Sequence, residues 1–132
     1  MYMLDTNICS YILKKRPASV LEKFNHVRSD SLSISTVVLA ELCYGASRHP
    51  AGKAIQADID DFVSRLSVMG WSDRAARCYG TLRSGLERAG TPLGNMDIMI
   101  AAHALSINAI LVTNNTRHFS PIPGLRHENW IF

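Results

Sequence analysis

The chain opens with an apolar run over residues 1–4 that stops abruptly at Asp5, Thr6 and Asn7. A short apolar segment ending in cap-forming polar residues predicts a buried strand whose carboxyl end leads into a helix, with Asp5 at the strand tip. Ile8, Tyr11 and Ile12 then recur at helical spacing until Lys14, Lys15 and Arg16 meet Pro17, which disfavours continuation. Residues 31–35 alternate polar and apolar positions like a strand, and Ser35 or Thr36 is placed to cap the helix that follows. Glu41 falls about one and a half turns into that helix.

Across residues 54–66, Ile55, Ile59, Phe62, Val63 and Leu66 share one helical face, while Asp58, Asp60, Asp61 and Arg65 mostly take the other. A short apolar stretch at 68–71 predicts a strand. Ser72 or Asp73 then opens a second amphipathic helix that turns Ala75, Cys78, Tyr79, Leu82 and Leu86 inward and stops near Gly90. After a turn at Thr91, Pro92, Leu93 and Gly94, Asn95 is placed to cap a largely apolar helix over 96–106, with Asp97 in its first turn. Residues 109–113 read as another buried strand, ending at Asn114 and Asn115 as the first ends at Asp5. Helices alternating with short apolar strands predict an α/β domain with a mainly parallel sheet flanked by helices, whose ligands lie at the strands' carboxyl ends.

A length of 132 residues, with no internal repeat or long linker, supports a single domain over 1–132. Hydrophobic residues at 47% and charged residues at 19% exclude a disordered tail or a highly charged nucleic-acid-binding arm as the main content. The net charge of +3 permits a polyanionic partner but decides little. Cys9, Cys43 and Cys78 are odd in number, widely spaced and set among apolar neighbours, as expected for buried reduced thiols rather than disulfides or a zinc site. With no charged leader before an apolar run, and no apolar stretch near the roughly 18 residues of a membrane helix, a soluble, cytoplasmic protein with no membrane partner is expected.

Asp5, Glu41 and Asp97 stand almost alone inside the most apolar stretches, where a carboxylate is costly unless paired, hydrogen-bonded or bound to a cation. Each has a plain reading: a cap for Asp5, a first-turn aspartate for Asp97, an arginine ion pair for Glu41. Glu41 resists it most, because its helix is apolar on every side and is therefore expected to be buried. If the three converged, two charges about 4 Å apart would repel by roughly 4 kcal/mol at an effective dielectric near 20. A divalent cation would remove that penalty, and hard oxygen donors without neighbouring histidine or thiolate favour Mg²⁺, with Mn²⁺ as a substitute. The natural reaction of such a site is attack of activated water on a phosphodiester.

Leu4-Asp-Thr-Asn, Ala40-Glu-Leu-Cys-Tyr-Gly-Ala, Gly94-Asn-Met-Asp-Ile-Met-Ile-Ala-Ala-His-Ala and Val112-Thr-Asn-Asn-Thr-Arg-His-Phe, followed by Ile122-Pro-Gly-Leu, resemble the PIN-domain ribonuclease toxins of the VapC type. The resemblance runs in order over essentially the whole chain. It implies a PIN fold, Mg²⁺-dependent endoribonuclease activity, a homodimer, and inhibition by a VapB-type antitoxin. Carried over residue by residue, the metal-site acids are Asp5, Glu41 and Asp97, with Thr6 as a hydroxyl for metal water or phosphate. Where many PIN domains place a fourth acid this chain has Asn115, and where close relatives often carry Glu it has His118. Both departures remove negative charge and leave one or two metals open. Asn115 would position metal-bound water through its amide oxygen, and His118, if protonated, a substrate phosphate.

The resemblance also points to structured RNA as substrate, with tRNA the favoured class and an initiator-tRNA anticodon loop the specific expectation. The apolar helices around residues 8–13 and 55–66 offer a surface for the antitoxin, although core packing accounts for the same residues. Lys14, Lys15, Arg16, Arg117 and Arg126 read either as phosphate grips flanking the active site or as a solvated face. His103, Trp71 and Trp130 read as packing residues. Two rival phosphotransfer readings lack a required part: Asn7 stands where haloacid-dehalogenase-like sites need a second acid, and no lysine follows Lys53, as a receiver domain would require. The remaining alternative is a catalytically impaired PIN-like module that binds RNA or protein.

Overall fold

The computed structural model describes residues 1–131, so only the last residue of the expected 1–132 domain lies outside the described residues. Five short strands, β1 (Tyr2–Leu4), β2 (Leu32–Ser35), β3 (Ser67–Met69), β4 (Ile110–Val112) and β5 (His127–Glu128), form one sheet in the order β3-β2-β1-β4-β5. Every pairing is parallel, with Met3 beside Ser33 on one side and Leu111 on the other. Parallel neighbours need crossover connections. These are supplied by α1 (Thr6–Lys14), α2 (Ala18–His26), α3 (Thr36–Ser47), α4 (Gly52–Val63), α5 (Asp73–Arg88) and α6 (Asn95–Ser106), with a four-residue α7 (Thr116–Phe119) after β4.

The helices cover both sheet faces, so the central strands bury side chains on each: Met3, Leu4, Ile34, Leu111 and Val112 have no exposed surface. From β1 the chain builds outward through β2 and β3, then returns to β4 on the other side of β1. The carboxyl ends of β1 and β4 therefore flank a topological switch point, where open α/β sheets bind their ligands. Local capping fixes the helices that leave this edge. The Asp5 carboxylate accepts the Ile8 N–H at 2.9 Å, the Ser35 hydroxyl that of Val37 at 3.1 Å, and the Ser72 hydroxyl that of Ala75 at 3.3 Å. At the other end of α5, Gly90 takes the left-handed conformation (φ +73°) that stops a helix at little steric cost.

The structure departs from the sequence expectations in several places. Asn95 is the first residue of α6 and does not cap it; Gly94 precedes the helix and supplies no side-chain cap. Helix α4 runs Gly52–Val63, so Leu66 lies beyond its end, and β3 is an edge strand whose Val68 is 39% exposed. Cys9 is buried, but Cys43 and Cys78 are only half-buried; all three are free thiols. Trp71 and Trp130 pack as expected, the Trp71 indole N–H donating to the Met99 carbonyl and Trp130 meeting Tyr2 edge-on. Among the described residues no helix is long and apolar enough to cross a membrane.

Candidate active site

The polar tip of β1 lies beside the polar tip of β4, joined by the Asp5 N–H donating to the Val112 carbonyl at 3.0 Å. Asp5 is 6% exposed. Burial raises its carboxyl above the ordinary carboxylate range; hydrogen bonds from the Thr113 hydroxyl and the Ile8 N–H oppose that, and the charges of Asp97 and Glu41 reinforce it. Thr113, itself buried, accepts the Asn115 N–H at 2.9 Å, which leaves its proton for Asp5. Glu41 reaches in from α3, where the Thr6 hydroxyl donates to its Oε1 at 2.6 Å. Asp97 enters from the first turn of α6, and its carboxyl is raised by burial and drawn down by His118.

These side chains enclose a cavity of about 130 Å³ lined by Asp5, Thr6, Asn7, Glu41, Asp97, Asn115 and Phe119. Four ion pairs occur among the described residues, and none includes Asp5, Glu41 or Asp97. The arginine pairing considered for Glu41 is thus replaced by the Thr6 hydroxyl. Nor is Glu41 buried as its apolar helix suggested. It is half-buried because α3 leaves Thr36, Ala40, Tyr44 and Ser47 to solvent.

The donor set suits a hard divalent cation: three carboxylates from the tip of β1, α3 and α6 around one small cavity, two of them held above their usual range. Among the described residues no group of three His, Cys, Asp or Glu is already closed into a metal-holding cluster. An ion held by this set would therefore draw the carboxylates inward or reach some of them through water.

Asn115 lines the cavity and donates its amide N–H to His118 Nδ1 at 2.9 Å, while its amide oxygen makes no hydrogen bond among the described residues. His118 is exposed on α7, not in a loop. Asn114 turns away, its amide bonding the Tyr11 hydroxyl at 3.0 Å. His103 is a core residue, its Nδ1 2.8 Å from the Ser35 hydroxyl, and burial lowers its imidazole pKa. Four of the five candidate phosphate grips lie elsewhere. Arg126 bonds the Asn108 carbonyl at the amino end of β4, and Lys14 ends α1 with Lys15 and Arg16 after it, roughly 13 Å along the helix from Asp5. Only Arg117 is on the carboxyl side, beside His118 on α7. Sequence reasoning missed Thr113, Asn7 and Phe119 as site residues. Thr113 carried a usable signal, being the hydroxyl that ends an apolar strand as Asp5 does.

An all-parallel sheet with acids gathered at its switch point is a nuclease-like α/β architecture, and the PIN domain family model matches residues 2–125. The chain is 46% identical over 129 residues to the tRNA(fMet)-specific endonuclease VapC of Shigella flexneri, covering 98% of this chain and 97% of that protein. It is 44% identical over 131 residues to Ribonuclease VapC2 of Rickettsia felis, covering 98% of each. The crystal structure of VapBC2 from Rickettsia felis bound to a promoter DNA fragment superposes with a TM-score of 0.93, at 43% identity and 98% coverage of both chains. The chain belongs to the PIN domain family, in its branch of VapC-type ribonuclease toxins.

Proposed function

We propose that the protein is the toxin of a VapBC-type pair, a Mg²⁺-dependent endoribonuclease that cuts tRNA. The observation that carries the reading is the convergence of Asp5, Glu41 and Asp97, without a cationic side chain, on one cavity at the β1–β4 switch point. These three would hold Mg²⁺ or Mn²⁺, which when bound lowers the pKa of water and offsets charge building on the scissile phosphate. Thr6 fixes the Glu41 carboxylate, Thr113 fixes that of Asp5, and the free amide oxygen of Asn115 orients the attacking water. His118, on the rim beside Asp97, meets a substrate phosphate when protonated.

Loop RNA suits the site because it exposes phosphates and bases that a duplex hides. The endonuclease name of the Shigella relative makes initiator tRNA the first substrate to try. Total tRNA offered with Mg²⁺ or chelator, to the parent and to Asp5→Asn and Asp97→Asn proteins, tests the reading. Cleavage should need the metal and both aspartates, and equal cleavage by all three proteins refutes it. The substitution of acids by Asn115 and His118 favours a second reading, an impaired PIN module that binds RNA without cutting it. The same assay then returns binding without product from the parent.

The relatives' VapBC assemblies support a VapB-type antitoxin as partner. Ile8, Ile12, Ile59 and Phe62, once candidates for its surface, are core residues. What remains is a groove of about 230 Å³ between α1, α2 and α4, with apolar Leu13 and Leu21 and charged Lys15, Asp58 and Arg65. Coexpression with the neighbouring upstream reading frame should relieve toxicity. A homodimer in the cytoplasm completes the reading, and sedimentation of the purified protein tests the dimer.

A further inference from the structure

Helix α3 passes the acid cavity and continues beyond it as an exposed ridge. Glu41 lines the cavity, and Tyr44 and Arg48 follow it along the helix at i+3 and i+7, the spacing of side chains that share a face. Tyr44 is 64% exposed, more than any other large apolar side chain among the described residues. The Arg48 guanidinium sits 5.5 Å from its ring centroid, within cation–π range, and enters none of the four ion pairs found among the described residues.

Charge along the following turn has one sign. Between Glu41 and Asp58 the sequence carries Arg48 and Lys53 and no acid. The turn is also held in place: the Ala51 N–H donates to His49 Nδ1 at 3.0 Å, and Gly52 lies so close to the end of α3 that a Cβ there would collide with the Ala46 carbonyl oxygen. Around Tyr44 the exposed neighbours are Ala40, Gly45, Ser47 and Arg48, small or polar residues that offer little apolar area to a protein partner. On the α6 side of the cavity, Met96 exposes a flexible thioether beside Asp97.

An exposed aromatic ring backed by a guanidinium and followed by Lys53, which enters none of the ion pairs among the described residues, is the composition of a single-strand nucleic-acid track: the ring stacks a base and the cations hold phosphates. We propose that the Tyr44–Arg48 ridge is a nucleotide subsite adjoining the acid cavity, in which Tyr44 stacks one unpaired base of the RNA and Arg48 and Lys53 hold its backbone. The inference rests on the ribonuclease reading of the acid site and adds to it the direction in which the strand leaves that site, along α3.

The test is steady-state cleavage of total tRNA by the full-length parent, Tyr44→Ala, Tyr44→Phe and the double variant Arg48→Ala/Lys53→Ala, with sedimentation of each. Tyr44→Ala should raise KM by roughly tenfold, the loss of about one stacked base, with kcat changed far less. Tyr44→Phe, which keeps the ring, should hold KM within about twofold of the parent. The double variant should flatten the salt dependence of KM by about one to two in log–log slope, since each phosphate contact on a single strand contributes roughly 0.7. An unchanged KM for Tyr44→Ala beside an active parent overturns the subsite while leaving the ribonuclease reading intact. A change in sedimenting mass for Tyr44→Ala also overturns it, marking the ridge as an interface between copies. A parent no more active than Asp97→Asn overturns the ribonuclease reading and the subsite with it.

Discussion

Acids of two kinds share this fold. On the helix and loop surfaces, Asp30, Asp61, Asp73 and Glu87 are exposed and each stands within 4 Å of an arginine, three of the four pairs at i,i+4 along a helix. At the carboxyl edge of the sheet, Asp5, Glu41 and Asp97 face a common cavity with no such partner. The surface acids sit where solvation and helix pairing make charge cheap, so they report little beyond a soluble face. The edge acids sit where burial lifts the Asp5 and Asp97 carboxyls above their ordinary range, with the charges of Asp97 and Glu41 adding to the rise at Asp5. An arrangement that is locally unfavourable at Asp5 and Asp97, yet braced by Thr6, Thr113 and the Ile8 N–H, is one whose use lies in what it binds.

The largest contrast should appear in activity. Asp97→Asn keeps the shape of the first turn of α6 but removes a charge from the cavity, so RNA cleavage should fall on the order of a hundredfold or more. Asp61→Asn, an aspartate change on the exposed face of α4, should leave the cleavage rate within about twofold, in keeping with the small effect of surface charges. Product release from labelled tRNA, measured for both variants in Mg²⁺, checks the pair. Equal loss in both would erase the distinction between the two kinds of acid.

Stability should respond in the opposite sense. In the folded protein the Asp5 and Asp97 carboxyls hold their protons above the unfolded value of 3.8. Their favourable contribution is therefore complete below that value and is lost as pH rises through the raised folded values, so that at pH 7 both acids subtract from stability. Asp97→Asn in chelator at pH 7 should melt above the parent, by roughly 2–6 °C, and the difference should shrink as the pH approaches 4. Adding Mg²⁺ should raise the melting temperature of the parent more than that of the variant, because binding to the native state alone stabilises it. A parent that melts higher than Asp97→Asn in chelator at pH 7 would mean that the edge acids are satisfied locally, as the surface acids are.

The two regions were unequally legible in sequence. Asp5, Glu41 and Asp97 announced themselves because a lone acid inside an apolar run violates burial preference, and the strand tips that carry Asp5 and Asn115 followed from abrupt ends of apolar runs. Tertiary contacts were not readable in this way. The half-exposed state of Glu41 depends on which face α3 turns to the sheet, and an apolar composition on all sides gave no periodicity to decide it. Helix α2 had a signal, Val20 and Phe24 at i,i+4 after Pro17, that was masked by its polar flanks; both side chains are buried. The two-residue β5 and four-residue α7 are shorter than any repeat that periodicity can detect. Arg126 and the Lys14, Lys15 and Arg16 run looked alike in sequence, and only the strand direction placed them away from the site.

A smaller effect separates the two duties of Asp5. Its carboxylate both faces the cavity and caps α1, accepting the Ile8 N–H. Asp5→Asn retains a capping oxygen, whereas Asp5→Ala loses it, so the alanine variant should be less stable than the asparagine variant by about 1 kcal/mol. Both should be inactive on RNA. Chemical denaturation of the two variants checks the difference; equal midpoints would show that the helix does not depend on this cap.

The smallest effect should come from the surface pairs, which complete the comparison from the other side. Arg65 and Asp61 lie 3.0 Å apart on one turn, with side chains 58% and 66% exposed, so water screens most of their attraction. Arg65→Ala should change stability by no more than about 0.5 kcal/mol, and added salt should reduce even that. The arginine also lines the groove between α1, α2 and α4, which makes its replacement informative twice over. Denaturation should barely move, while relief of toxicity by the upstream reading frame should weaken if that groove receives the antitoxin. A large loss of stability from Arg65→Ala would show that a surface pair can carry the fold, and the line drawn between the two kinds of acid would have to be redrawn by partner rather than by place.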